Sequence, residues 1–216
     1  MSLYSAIGSA ISGLNASQAG LDLVSRNIAN AGTAGYTRKT SVVSNNIAGG
    51  EGIGVQTLAA TRNVDSFLQQ QIRTETGKSS KLDVYDKFLS RVNNMFGAPD
   101  SDSSVASSVS KMIAKLQAMA TSPDDPSSRQ SFLNSAFNLT QQLNSMSDQL
   151  QGMRLEAEQN IATSVETANK QLQTIAELNN QIAQRQATSV SVADLEDKRD
   201  AAIDKLSTLM DIKAVA

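Results

Sequence analysis

The sequence has 216 residues, 19 Lys and Arg against 21 Asp and Glu for a net charge of −2, few aromatics, and no cysteine, histidine or tryptophan. Those absences exclude disulfides, zinc sites built on thiolate or imidazole, and Ser-His-Asp or Cys-His catalysis. Balanced charge without a Lys/Arg run excludes the footprint of a nucleic-acid or anionic-membrane binder, and no stretch approaches the roughly eighteen apolar residues of a membrane span.

The start carries no basic residue before Arg26, and Gly8, Ser9, Ser12 and Gly13 interrupt any apolar run, so no cleavable secretory signal is expected. Residues 1–30 hold a seven-residue repeat instead. Ile7, Leu14, Leu21 and Ile28 fall on one line and Leu3, Ala10, Ser17 and Val24 on the other, the a/d seam of a coiled-coil helix. The opposite face holds Ser5, Ser9, Ser12 and Gln18. Gly8, Gly13 and Gly20 each cost about 1 kcal/mol of helix propensity, so this helix needs partners to order it. Its few charges and small residues favour packing against other chains or the opposite terminus over docking into its own domain. Leu3, Ile7, Leu14, Leu21, Val24 and Ile28 are the expected assembly interface.

Residues 31–62 read as a turn at 31–35, a β-permissive run from Tyr36 to Val43, a flexible tip over Asn45–Gly52 and an alternating return through Val55, Thr57 and Ala59: a short hairpin or extended linker. Helical period then resumes. Phe67, Leu68, Ile72, Leu82, Tyr85, Leu89, Val92 and Phe96 mark a helix ended by Gly97, with Gly77 as a bend or loosening in its middle. A shorter helix follows on Val105, Val109, Met112, Ile113, Leu116 and Met119. Asp125-Pro126 is an N-cap with proline at the first helical position. It opens a long rod over 127–187 whose frame runs through Ala136, Leu139, Leu143, Met146, Leu150, Met153 and Ala157, then jumps by a stutter to Ile161, Val165, Ala168, Leu172, Ile175 and Ile182. Ser191 and Asp194 resemble a capping box for a last helix through Leu195, Ala202, Leu206 and Leu209. The pattern then stops without a closing signal, as expected of a fragment of something longer. Residues 63–216 are thus an elongated antiparallel helical bundle, and the fold class is mainly α.

Sites of small-molecule chemistry fail one by one. Thr76-Gly77-Lys78-Ser79 would need glycine where Ile72 stands to be a phosphate loop, and the glycines at 49, 50, 52 and 54 miss the dinucleotide spacing because Val55 follows. Asp194, Glu196, Asp197 and Asp200 are four carboxylates in seven residues. A helix spreads them around its circumference, so they read as a solvated helix start with Asp194–Lys198 and Glu196–Arg199 pairs and not as a cation site. Met112, Met119, Met146, Met153 and Met210 read as core filler. No catalytic residue, cofactor site or metal site is expected.

Leu14 to Arg38 resembles the amino-terminal signature of flagellar rod, hook and hook-associated proteins, an amphipathic helix leaving through Asn27-Ile28-Ala29-Asn30 and then Thr33, Gly35 and Tyr36. Ala34 stands where family members usually carry proline. Downstream, Asp65-Ser66-Phe67-Leu68, Arg129-Gln130, Ile182 and the Asp194–Asp200 block are similar to the hook–filament junction branch, Glu196 being a departure. The likeness covers nearly the whole chain, strongest over 14–38 and weaker over 63–210. It implies a non-enzymatic subunit that is exported through the flagellar secretion apparatus to the cell exterior. There it would polymerise with copies of itself as an annular layer between hook protein and the next hook-associated protein or filament. It also implies that the amino-terminal helix pairs in the inner tube with a carboxy-terminal helix beyond this sequence, and that an export chaperone holds that tail. Neither nucleic acid nor membrane is an implied partner. The alternatives are a hook or distal rod subunit sharing the signature, expected to be richer in β structure, and a cytosolic coiled-coil adaptor.

Overall fold

A computed structural model describes residues 3–48, 51–188 and 190–213. In chain order these form α1 (Leu3–Ala29), β1 (Lys39–Ala48), β2 (Glu51–Arg62), α2 (Ser66–Phe96), α3 (Val105–Thr121), α4 (Pro126–Ala187) and α5 (Ala193–Ser207). The fold is mainly α, with one antiparallel hairpin. Among the described residues no helix is long and apolar enough to cross a membrane.

The chain divides into two compact units, Met1–Lys78 with Glu166–Ala216, and Ser79–Val165, so α2 and α4 contribute to both. In the first unit the core is the contact of Leu178 and Ile182 on α4 with Leu195 on α5, flanked by Val192. Leu178 lies outside the heptad frame read from the sequence. The apolar frame positions Ile161, Val165 and Leu172 are exposed, because from there α4 turns the line through 171, 175, 178 and 182 inward. The stutter locates a real change of face but places too many apolar residues inside.

In the second unit Met153 is buried, Ser108 donates to Gln142 (2.6 Å), and Arg91 and Lys87 both reach Glu156. α4 is capped as its sequence predicts: Asp125 accepts from the backbone N–H groups of Ser127 and Ser128 and from the Ser128 hydroxyl. Gly97 ends α2 at φ 74, and a side chain there would meet the Ser104 Cα at 3.0 Å, so glycine answers both backbone and space. Ser104 itself is buried and caps α3.

Several expectations need correction. β1 and β2 run well into the segment read as a flexible tip, with register shifts between Thr40 and Val42 and between Asn46 and Ile47. Gly49 and Gly50, the centre of that tip, lie outside the described residues, as does the side chain of Ser5. The apolar residues of α2, Phe67, Leu68, Ile72, Leu82, Tyr85, Leu89 and Phe96, are exposed, and the helix turns Arg73 inward instead. α2 runs unbroken through Gly77. A side chain there would stand 3.0 Å from the Ser207 carbonyl, so the glycine lets the end of α5 approach. The Ser191–Asp194 capping box does not form, since Ser191 donates to the Ala60 carbonyl and α5 begins after Val192 without a side-chain cap. Among the described methionines only Met153 is buried, and Met210 is exposed.

Candidate functional site

At about 100° per residue, the seam residues Leu3, Ile7, Leu14, Leu21, Val24 and Ile28 share one side of α1, and each is 49–76 % exposed. Tyr4 and Ile11, absent from the heptad reading, widen the same exposed band; their i, i+3 and i+4 spacing to Ile7 and Leu14 was the available signal. Ser9, Ser12, Ala16, Ala19, Leu23 and Asn27 lie nearly opposite, and this second face is half-buried to buried.

What it packs on is the hairpin. Ser9 donates to the Ile53 carbonyl (2.9 Å), and the Val55 N–H donates to the Ser12 hydroxyl (3.1 Å). Between them Gly54 sits at φ 146, where a side chain would collide with the Ser12 hydroxyl. Small residues on α1 and a glycine on β2 thus let the helix and strand meet closely. The apolar band has no part in that contact and faces away from it.

The signature residues split between the two roles. Asn27 receives the Lys39 N–H (3.0 Å) and gives its own amide hydrogen to the Lys39 carbonyl (2.8 Å), pairing with β1 as a neighbouring strand would. Tyr36 donates its hydroxyl to the same Asn27 oxygen (3.0 Å). Asn30 returns to the Arg26 carbonyl, and the Thr33 N–H donates to the Asn30 carbonyl, closing the helix end. Gly35 takes φ 79 beside Ala201 of α5. Ile28 belongs to the exposed band, and Ala29 is the exposed last residue of α1.

The acidic run of α5 does not make the solvated Asp194–Lys198 and Glu196–Arg199 pairs expected of it. Asp197 and Asp200 are buried, and the cations come from other elements. Lys39 of β1, itself buried, reaches Asp194 (2.9 Å) and Asp197 (2.7 Å) and lies 3.7 Å from the centre of the Tyr36 ring. Arg62 of β2 contacts Glu196 (2.8 Å), Asp197 (3.1 Å) and Asp200 (2.6 Å). Arg73 of α2 contacts Asp200 (3.3 Å) and Asp204 (2.6 Å). Thr37 adds its N–H and its hydroxyl to Asp197.

Burial alone would raise the Asp197 pKa, but hydrogen bonds from Lys39, Thr37 and Arg62 outweigh it and hold the carboxyl below its ordinary value. Burial likewise opposes the charge on Lys39 and Arg62, and bonds to Asp197 and Asp194, and to Asp200 and Asp197, hold both above theirs. With the carboxylates so engaged, no group of three or more acidic side chains among the described residues is arranged to hold a metal ion. The long-range pairing of Lys39, Arg62 and Arg73 with α5 had no local sequence signal, because each cation lies more than a hundred residues from its acid.

Comparison with known proteins bears on both parts of this arrangement. A family model described as the flagellar hook-associated protein FlgK helical domain matches residues 89–216, and one described as flagella basal body rod protein matches residues 7–37. Flagellar hook-associated protein 1 of Salmonella typhimurium is 31 % identical over 98 % of this chain and 39 % of the relative. The protein of that name in Escherichia coli K12 is 29 % identical, covering 98 % and 40 %, and that of Bacillus subtilis 31 %, covering 93 % and 42 %. The chain therefore spans about two fifths of the length of these relatives.

Proposed function

Because the chain belongs to the flagellar hook-associated protein family, we propose that it is a structural, non-catalytic part of the bacterial flagellum, forming the junction layer between hook and filament outside the cell. In this reading residues 1–30 are the inner-tube helix, 31–62 the hairpin arm that carries it, and 63–216 the helical domain. Copies of the same subunit are its lateral neighbours, and hook protein and the next hook-associated protein or filament its axial ones. It reaches that place through the flagellar export apparatus, with a chaperone on the part of the protein beyond these residues.

One observation carries the reading: the apolar band of α1 lies opposite the face that docks on the hairpin, and is left exposed. Contiguous exposed apolar side chains on a helix anchored by its other side mark an interface. Leu3, Ile7, Leu14, Leu21, Val24 and Ile28 are the residues we assign to it. The shared signature at 7–37 alone is compatible with a rod subunit, but the helical-domain match over 89–216 favours the junction.

The test is replacement of Leu14 and Leu21 by Asp in the complete protein. Incorporation into purified hook–basal bodies is expected to be lost, while far-UV circular dichroism of the free chain keeps its helical signal. Normal incorporation would refute the assignment.

A further inference from the structure

We propose that Asp197 is a positioning residue for the assembly helix: it closes the base of the hairpin by standing between two cations, so that α5 decides whether α1 is held. This goes beyond the junction reading: naming α1 the assembly helix rests on that reading, whereas the closure of the hairpin by Asp197 and its test do not. Lys39 and Arg62 are directly paired across the strands at the open end of the hairpin. Like charges opposite one another oppose strand pairing, and a two-stranded hairpin is marginal by itself. Asp197 reverses the sign of that contact, one oxygen receiving Lys39 at 2.7 Å and the other Arg62 at 3.1 Å. Among the described residues no other carboxylate bonds both. Asp194 serves Lys39 alone, Glu196 serves Arg62, and Asp200 is divided between Arg62 and Arg73, which also holds Asp204.

Closure at the base fixes what happens farther along the strands. Slipping the hairpin by one residue would turn every side chain to the other face and move Gly54 away from Ser12, where the missing side chain of the glycine lets β2 approach α1. The position of the apolar band thus depends on a carboxylate 158 residues from its lysine.

The free full chain tests this by amide hydrogen exchange with three variants. Asp197→Asn leaves the two cations facing each other without the one carboxylate that bridges them, Asp194 still pairing with Lys39 and Glu196 and Asp200 with Arg62. It is expected to speed exchange of the hairpin amides Val42–Ser44 and Gln56–Leu58 by about 100-fold. The α4 amides of the second unit should be unchanged. Lys39→Met, which removes one of the repelling pair, should do less, and adding it to Asp197→Asn should recover about 10-fold of the loss. Asp197→Glu, which keeps the charge, should stay closer to the unsubstituted chain than Asp197→Asn. Unchanged hairpin exchange in Asp197→Asn, or a double variant as open as the sum of the singles, would overturn the proposal. A variant that fails to fold does not shelter it, because in the unsubstituted chain the hairpin and α5 must exchange as one cooperative unit. Hairpin amides that outlast those of α5 would defeat it.

Discussion

Asn27 holds three partners at once: the N–H and the carbonyl of Lys39, and the Tyr36 hydroxyl. Truncation would strand the Lys39 backbone groups in a half-buried setting, where an unmade hydrogen bond costs more than a made one contributes. Asn27→Ala is therefore expected to destabilise the first unit by about 1–3 kcal/mol in denaturant unfolding, whereas Ser25→Ala, on the exposed surface of the same helix, should be near neutral. Equal effects would mean that the side-chain pairing with β1 contributes nothing.

The charges beside it set a pH window. Asp197 is held below its ordinary pKa, so its contribution is whole above about pH 3.9, the unfolded value, and is lost as pH falls through the folded one. Lys39 is held above its ordinary value, so its share is whole below about pH 10.4 and drains as pH rises through the folded pKa. The melting midpoint of the first unit should be flat between these edges and fall outside both. Asp197→Asn should weaken the acid limb. A midpoint that declines steadily between about pH 5 and 9 would contradict the assignment of the two groups.

At the scale of elements, existence was legible and facing was not. The Asp125-Pro126 start of α4, the Gly97 stop of α2 and the helical period of α1 each rest on chemistry within a few residues, and the cap, the stop and the helix each stand in the structure. Which side of α2 or α4 turns inward depends on neighbours distant in sequence, and here the inward side of α2 carries Arg73 because acids of α5 await it. The candidate site divides the same way: the apolar band could be read from period alone, whereas the acidic run was misread as a solvated helix start because its three cations sit on three other elements. Local chemistry should also have local consequences. Asp125→Ala removes the acceptor of two backbone N–H groups, worth about 1 kcal/mol. Since α4 is 62 residues long, the loss should appear as faster exchange confined to its first turn, and exchange altered beyond Phe137 would show that the cap governs more than its own end.

For the whole molecule, the distribution of apolar side chains is the property that separates what stabilises the free subunit from what an assembly would use. The interior of the first unit rests on few residues, Leu178, Ile182 and Leu195 foremost, while α1 presents its largest side chains to solvent. Truncating a core residue removes transfer energy and leaves a cavity, so Leu195→Ala or Ile182→Ala should cost about 2–5 kcal/mol. Leu14→Ala and Leu21→Ala remove side chains of the same size that bury little in the free chain, and surface changes stay within about 0.5 kcal/mol. The same pair should reduce binding of an apolar dye and any concentration-dependent self-association, because the exposed band is what each would detect. Denaturant unfolding and sedimentation on the four variants then give opposite rankings: core variants lose stability and keep association, and band variants do the reverse. If Leu14→Ala and Leu21→Ala cost as much stability as Leu195→Ala, the band would be packed within the free subunit, and α1 would have no apolar surface left to offer a neighbour.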